Sequence, residues 1–481
     1  MFTLPVDVLL IFTITTPFVG YVAEKLRRRS ICGAYAALGF VISAYALYGL
    51  AVEALSNPVL IPVDAGIFEA CMRVDPLGVF MASIFLALGF IASVYSIKYM
   101  AQDTGLPFYY ALVLALLTGM LGVVFAGDFF TFFVFWELMC VASYALVAFR
   151  KQNWEPIEAG LKYLVISAAG SATALYGISL LYGLTGTLNF VQLSSSMASG
   201  TPDFWSYLSL AFILTGFGVK AAVFPLHTWL PDAHPAAPSP VSALLSGIVI
   251  KAGVYAIIRS LFTVFLPSQF SWQTSLAVFA VLTMTYGNFA ALLQNDIKRL
   301  LAYSSIAQMG YILFAVSTAT SIGLTAGLMH VLNHAVMKGL LFLCAGAFIY
   351  EAKTRNLNEL KGIGRRMPVT AVIFMVAALA ISGVPPLNGF VSEFMILYAG
   401  VNAGMLVFTA IMLINLVVGF AYYLQLIRKI VWSTPQRALN VHEAPVLMLV
   451  PMFLLALACV IIGLYPSPFI EIANKAAQAL V

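Results

Sequence analysis

Charge is scarce in this sequence. Asp, Glu, Lys and Arg make up only 9% of its 481 residues, against about 25% in a soluble domain. A surface solvated by charge in the ordinary way is therefore excluded. Cysteine is also sparse. Cys32, Cys71, Cys140, Cys344 and Cys459 stand singly with no CxxC pair, which gives no disulfide framework and no sign of an iron–sulfur or zinc site; they read as small apolar packing residues. There is no P-loop and no GxGxxG unit opening a helix, so no nucleotide or redox cofactor is expected in the chain itself. The formal charge is +5, but the basic residues are spread over short loops and form no patch, which argues against a nucleic-acid partner. The first apolar segment lacks a basic leader and an A-x-A cleavage site, so it reads as a retained helix and not a signal peptide.

What is abundant is apolar: 62% of residues are hydrophobic and the mean hydropathy is +0.99. Runs of roughly 18–25 apolar residues recur along nearly the whole length, each able to cross a hydrocarbon core about 30 Å thick. The pattern predicts an all-α integral membrane protein. About fourteen spans are expected near 6–23, 31–52, 77–97, 109–127, 129–149, 162–183, 207–230, 237–261, 272–292, 300–317, 322–350, 370–402, 404–427 and 446–465. Pro385 and Pro386 must break the long twelfth span.

The loops segregate basic residues. Those after odd-numbered spans hold eighteen Lys and Arg, among them Arg27, Lys98, Arg150, Lys162, Lys298, Arg299, Arg355 and Arg437, and the other face holds Arg73, Arg259 and Lys475. Because Lys and Arg accumulate on the cytoplasmic side, both termini are expected outside. Three lysines remain, Lys220, Lys251 and Lys338, all inside spans, with Glu137 and Glu393 as acidic counterparts. A charge near the bilayer centre costs about 2.5–3.5 kcal/mol on insertion scales, so each normally faces a partner or hydrated cavity.

Glu137, in FFTFFVFWELMC, lies about 12 Å from the outer end of the fifth span at 1.5 Å per residue. Lys220 precedes Pro225 by five residues, and the interrupted ladder there leaves carbonyls free to hold water. An opposite charge within about 4–6 Å favours the ionised form of each group, so a Glu137–Lys220 pair would be switched by separation; a static pair that pins two helices is the alternative. Lys251 sits deep in the eighth span. His227 and His234 precede it in HTWLPDAHPAAPSP, which is too proline-rich for one continuous helix, and serve either as loop hydrogen-bonding groups or as proton access. His330, His334 and Lys338 recur every fourth residue of the eleventh span and so form one stripe, rising about 6 Å per step. Histidine titrates near neutrality, which makes the stripe a plausible relay. Glu393, after the second break, is the last deep titratable group along the chain and the natural terminal acceptor.

The breaks FPLHTW (224–229) and PPLNGF (385–390) each lie near a deep ionisable residue and hint at an internal repeat of five-helix units; paired interrupted helices mark transport sites in many membrane proteins. Groups at one depth form a horizontal row, so protons would enter at one face, move laterally and leave at the other. No energy source is visible in the chain.

Three stretches carry a resemblance: GFGVKAAVFPLHTWLPDAHPAAPSPVSALLSGIVIKAGVY (216–255), NDIKRLLAYSSIAQMGYI (295–312) and HVLNHAVMKGLLFL (330–343). Together with FVFWEL (133–138) and LKYLVISAAGS (161–171), they resemble the antiporter-like subunits of respiratory complex I, membrane-bound hydrogenases and Mrp-type sodium/proton antiporters. The resemblance implies two inverted five-helix repeats, 109–261 and 272–430, preceded by three helices (1–108) and followed by a last helix and tail (446–481). It implies that Glu137 is the fifth-helix glutamate, Lys220 its partner lysine, Lys251 the central relay lysine, Glu393 the terminal group, and His330, His334 and Lys338 the polar eleventh helix. Glutamate at 393, and a chain that stops soon after its last helix, resemble the M-type member of complex I or the D-type member of Mrp antiporters. The carboxylate also keeps sodium in play. The expected function is proton translocation within a multi-subunit, redox-driven complex, in a prokaryotic cytoplasmic membrane, with other membrane subunits as partners and no cofactor or redox site of its own. A member of an Mrp-type antiporter is the first alternative, and a purely structural membrane component the second.

Overall fold

A computed structural model of the chain describes residues 4–26, 28–55, 57–62, 70–434 and 441–480. The elements follow in order as α1 (Pro5–Lys25), α2 (Ser30–Ala54), β1 (Val59–Pro62), β2 (Cys71–Val74), α3 (Pro76–Tyr99), α4 (Leu106–Phe125), α5 (Phe129–Val147), α6 (Trp154–Thr185), α7 (Phe190–Ser199), α8 (Phe204–Lys220) and α9 (Leu230–Ala236). Then come α10 (Ser239–Leu244), α11 (Ile250–Thr263), α12 (Gln273–Leu292), α13 (Ile297–Ser317), α14 (Ser321–Ala352), α15 (Pro368–Ile381), α16 (Asn388–Asn402), α17 (Leu406–Ile427), α18 (Val446–Leu464) and α19 (Ser467–Gln478). A π-turn, Leu245–Val249, joins α10 to α11. The two short strands pair antiparallel, Val59 opposite Val74 and Pro62 opposite Cys71.

Several of the rare aspartates begin helices. Asp75, Asp128, Asp203 and Asp296 accept from the backbone N–H of Gly78, Thr131, Ser206 and Lys298, at 2.9, 2.7, 2.8 and 2.8 Å. Such caps satisfy donors that a helix start leaves orphaned, typically for about 1 kcal/mol each. Among the described residues twelve helices are long and apolar enough to cross a membrane. Two shorter apolar ones, α8 and α15, end at proline breaks at 221–229 and 382–387, where the seventh and twelfth spans are expected to be interrupted. The bonds Phe224–Pro225 and Pro385–Pro386 are cis.

The helices that carry Lys251, His330, His334 and Lys338 are the innermost. Every residue from Ser239 to Phe262 is buried, and α14 is buried along most of its length, touching α3, α10, α13, α15, α16, α18 and α19. The outer helices expose apolar side chains, among them Tyr45, Tyr48 and Val52 on α2 and Ile414 and Val417 on α17. Contiguous apolar exposure of this kind is unusual on a soluble protein and is what a lipid-facing belt requires.

One pattern occurs twice, about 168 residues apart. Phe129 N–H donates to Leu188 O at 3.1 Å and Phe190 N–H to Gly127 O at 3.0 Å; Ile297 N–H donates to Arg355 O at 3.1 Å and Leu357 N–H to Asn295 O at 2.8 Å. Gly119 lets α4 close onto α5, where an added Cβ would lie 2.5 Å from Met139 N and 2.8 Å from Phe135 O. Gly287 does the same between α12 and α13, against Ala307 N at 2.5 Å and Tyr303 O at 2.8 Å.

The helices differ from expectation in places. α6 starts at Trp154, eight residues before the expected 162, because its polar first turns are held by a Glu158–Lys162 pair at 2.8 Å; Lys162 is thus a helix residue and not a loop residue. Lys298, counted among the loop cations, is buried in the first turn of α13. HTWLPDAHPAAPSP contains the short α9, between two non-helical stretches. Arg27 and Arg437, counted on the basic face, lie outside the described residues.

Candidate functional site: a polar axis through the buried helices

Lys220 is the last residue of α8, and the chain turns away at once, with Ala222 at φ 55°. The lysine is only 1% exposed, and its Nζ donates to Tyr163 Oη at 2.8 Å and to Ser143 Oγ at 3.3 Å. The ammonium also lies 4.8 and 5.3 Å from the ring centroids of Tyr163 and Tyr144, within the range of cation–π attraction. Tyr163 is fixed in turn by stacking on Trp229 at 4.0 Å, and the Trp229 indole donates to Val219 O at 2.7 Å.

Glu137 does not join this cluster. It is half-buried on α5, its Oε1 has no hydrogen-bond partner, and no ion pair to Lys220 is formed. The pairing expected from the sequence is therefore not made: the cation instead sits among the hydroxyls and ring faces of Ser143, Tyr144 and Tyr163.

α11 packs directly on the break that follows Lys220. A Cβ on Gly253 would lie 2.5 Å from Ala221 N. Two residues earlier, Lys251 Nζ bonds to Ser246 O within the π-turn and to His334 Nδ1 on α14. π-turns inside α-helices occur frequently at functional sites; this one leaves the Ser246 carbonyl to the lysine. The Ser246 hydroxyl pairs with Ser305 Oγ at 2.7 Å.

Along α14 the stripe is as expected. The rings of His334 and His330 are 6.3 Å apart. His330 Nδ1 meets Ser392 Oγ at 2.9 Å and its Nε2 meets Gln308 Oε1 at 2.6 Å. Ser392 directly precedes Glu393, whose Oε1 is buried without a partner; the carboxyl packs against Gly383 in the second break. Asn333 and Asn388 brace that break, with Asn333 Nδ2 donating to Asn388 O at 2.7 Å. Lys251, His334, His330 and the Ser392–Glu393 corner thus line up from α11 through α14 to α16, with a gap between the two imidazoles, where His334 Nε2 has no partner, and another before the Glu393 carboxyl.

Lys338 branches from that run. Its Nζ donates to Leu301 O and to Tyr423 Oη, each at 2.9 Å. Tyr423 shares a hydrogen bond with Ser304 at 2.6 Å; Tyr422 donates to Ser304 at 2.9 Å and lies 3.2 Å from Asn288 Oδ1, and Asn288 donates to Asn415 Oδ1 at 3.0 Å. His227 is stacked between Phe224 and Tyr286 at 5.6 and 4.6 Å, beside the break but in none of these chains. His234 is fully buried, stacked on Phe342 at 4.5 Å, and neither ring nitrogen has a partner.

Sequence reasoning did not single out Ser143, Tyr163, Ser305, Gln308, Ser392 or Tyr423. Hydroxyl and amide residues are common in transmembrane helices, and only the positions of the charged residues distinguish these from the rest. One signal was available: Ser304 and Ser305 stand four and three residues before Gln308 in LLAYSSIAQMGYI, spacings that bring each to the face of α13 that carries Gln308.

The arrangement has the chemistry of proton exchange. It offers buried amines, imidazoles and a carboxyl in a row, some of them joined by short polar contacts, in helices shielded from lipid by others. Residues 126–419 match the family model described as the NADH:quinone oxidoreductase/Mrp antiporter transmembrane family. Residues 62–110 match the N-terminal model of complex I chain 5. The F(420)H(2) dehydrogenase subunit N of Methanosarcina mazei is 34% identical over 93% of this chain and 91% of its own. The NADH-quinone oxidoreductase subunit N of Desulforudis audaxviator is 34% identical over 83% of this chain and 82% of its own. Both carry the subunit N name, and not that of the M-type member expected from the glutamate at 393. A chain in the structure of the membrane-bound sulfane sulfur reductase, an archaeal respiratory membrane complex, superposes with TM-score 0.90 and 30% identity, covering 99% of this chain and 97% of that one. The chain belongs to the NADH:quinone oxidoreductase/Mrp antiporter family of multi-pass membrane proteins.

Proposed function

We propose that this protein is a proton-translocating membrane subunit of a redox-driven respiratory complex, in line with the names of its subunit N relatives, and that redox chemistry takes place in other subunits. The observation that carries the reading is the buried row of ionisable groups from Lys251 through His334 and His330 to Ser392 beside Glu393, whose gaps would have to be bridged by water. A purely structural component has no need of such a run, since each buried ionisable group is costly in a membrane.

In this reading Lys220 and Lys251 are successive proton carriers, His334 and His330 pass the proton along α14, and Glu393 receives it. Lys338 and Tyr423 stabilise charge beside the run. Glu137, unpaired with Lys220 here, acts by approaching or leaving it; an opposite charge within about 4–6 Å would favour the ammonium form, and its withdrawal would promote release. The duplicated contacts at residues 127–129 with 188–190 and 295–297 with 355–357 support two five-helix units, 109–261 and 272–430, related by inversion. With each broken pair counted as one crossing, the helices would make fourteen spans. The Lys/Arg-rich loops then face the cytoplasm of a prokaryotic cell and both termini the outside.

Ion translocation by the reconstituted complex carrying Lys220→Ala, with assembly verified, tests the reading through separate pH- and sodium-sensitive dyes. Loss of the pH signal is expected. Loss of a sodium signal instead moves the protein to the Mrp-like reading, and unchanged transport in an assembled complex moves it to the structural one.

A further inference from the structure

His330 stands in the middle of the row, yet neither of its ring nitrogens is open to its neighbour His334. Nε2 meets Gln308 Oε1 on α13 at 2.6 Å and Nδ1 meets Ser392 Oγ on α16 at 2.9 Å. A carboxamide oxygen only accepts, so Nε2 carries the proton of the neutral ring and Nδ1 is the bare, basic nitrogen. The neighbouring ring is half open: His334 has Nδ1 on Lys251, while its Nε2 is buried without a partner. The two ring centres are 6.3 Å apart, and every bond that His330 makes leads elsewhere.

The His330 ring is also fenced in. Tyr311, three residues after Gln308 on α13, stands edge-on to it at 6.2 Å between ring centres. Ser392 is fixed by Asn333, whose Nδ2 donates to its Oγ at 3.0 Å, and the serine hydroxyl has a second acceptor in Gly389 O at 3.2 Å. When that hydroxyl donates to Nδ1 the ring is neutral. When it turns to Gly389 O, the same oxygen accepts from an Nδ1–H and the ring is an imidazolium. The site therefore accommodates both forms of His330, and in both the exchangeable proton lies on the Ser392 side.

Gln308 belongs to a stripe that touches the row at three points. Leu301, Ser305 and Gln308 are four and three residues apart, share one face of α13 and are buried. Leu301 O accepts from Lys338 Nζ at 2.9 Å, Ser305 Oγ pairs with the Ser246 hydroxyl at 2.7 Å, and the Ser246 carbonyl takes Lys251 Nζ. A displacement of the π-turn at Lys251 thus has a rigid path to Gln308 through one helix.

We infer that Gln308 is the positioning residue of a gate: it holds His330 turned to Ser392 and away from His334, and its release is the step that lets a proton cross between the two imidazoles. This rests on the transport reading above. On release the ring turns and Nδ1 takes a proton from the His334 side. On return Nε2–H donates to Gln308 again, Nδ1–H gives its proton to Ser392 Oγ, and the serine gives up its own through water to the Glu393 carboxylate. Nε2 keeps its proton throughout and His330 starts and ends neutral, so one proton has moved from the His334 side to Glu393. Because His330 serves one neighbour at a time, protons do not run back along the row while Gln308 holds it.

The test uses the intact complex in proteoliposomes with a pH-sensitive dye inside, first under an imposed pH step without redox substrate and then with substrate. Gln308→Met keeps the side chain's length and removes the oxygen that holds Nε2. It is expected to let the pH step decay about tenfold faster than wild type, the weight of one buried hydrogen bond, and to build a smaller gradient during turnover. Gln308→Glu restores the acceptor and is expected to leave the vesicles as tight as wild type. Adding His330→Gln to Gln308→Met is expected to close the leak, which a general loosening of the helices would not do. If Gln308→Met does not assemble, Gln308→Asn draws the amide back by one methylene and is expected to leak in the same way. Wild-type tightness in whichever of these variants assembles, or a leak that persists without His330, overturns the gate. Lys220→Ala keeps the two readings apart: tight Gln308→Met vesicles beside a Lys220→Ala complex that does not pump remove only this inference, and normal pumping by Lys220→Ala removes the transport reading and the gate with it.

Discussion

Removing one hydroxyl beside Lys220 measures how the protein holds a charge in the membrane without a carboxylate. Tyr163→Phe keeps the ring that stacks on Trp229 at 4.0 Å and lies 4.8 Å from the ammonium, and deletes only the oxygen that accepts from Nζ at 2.8 Å. A hydrogen bond to a charged group contributes about 1.5–3 kcal/mol, and about 1.4 kcal/mol is a factor of ten. The charged form of Lys220 is then disfavoured by roughly 10- to 100-fold. Proton translocation by the reconstituted complex, normalised to assembled protein and followed with a pH-sensitive dye, is expected to fall by about tenfold or more. Ser143→Ala removes the longer contact at 3.3 Å and should cost less. Wild-type pumping by Tyr163→Phe, in a preparation where Lys220→Ala does not pump, would refute the claim that Tyr163 stabilises the charge.

Three further outcomes follow from the geometry. Asp75 is fully buried and paired with Arg259 at 2.7 Å, so Asp75→Ala, by leaving a buried cation unpaired, should lower the unfolding free energy in detergent by about 3–5 kcal/mol. Burial pushes the Asp75 carboxyl up, but the Arg259 guanidinium outweighs it and holds the group below the usual carboxylate range. Its contribution is therefore full above the unfolded value near pH ~3.9 and lost only as the pH falls through the lower folded value; the gap between wild type and variant should stay constant from about pH 8 to 5 and close in stronger acid. Tyr423→Phe leaves Lys338 its bond to Leu301 O but cuts the link to Ser304, and should slow translocation less than Lys338→Met does, measured with the same dye. Gly119→Leu and Gly287→Leu should each reduce yield and thermal stability, because both positions face backbone at 2.5 Å, whereas Gly49→Leu, with nothing within 4 Å, should do neither.

The spans were legible because a hydrocarbon core sets a minimum apolar length, and the deep charges because anything ionisable inside such a run needs a reason. The α14 stripe was legible because a spacing of four fixes a common face: His330, His334 and Lys338 do share one. The partners were less so. Whether Glu137 reaches Lys220 depends on side-chain placement between two helices distant in sequence, which hydropathy does not encode; the structure puts Tyr163 and Ser143 there instead. Lys298 was expected in a loop because the apolar run starts only at Leu300, yet Asp296 caps the helix earlier and Lys298 lies buried in its first turn. The π-turn before Lys251 has no sequence mark in LLSGIVIKAG beyond an ordinary serine and glycine.

The central claim is that protons pass through the buried run at Lys251, and Lys251→Met addresses it most directly, since it approximates the side chain's length and removes the amine that meets His334. The account predicts an assembled complex whose redox partners still turn over while proton translocation is lost. Translocation at the wild-type rate in that complex would contradict it.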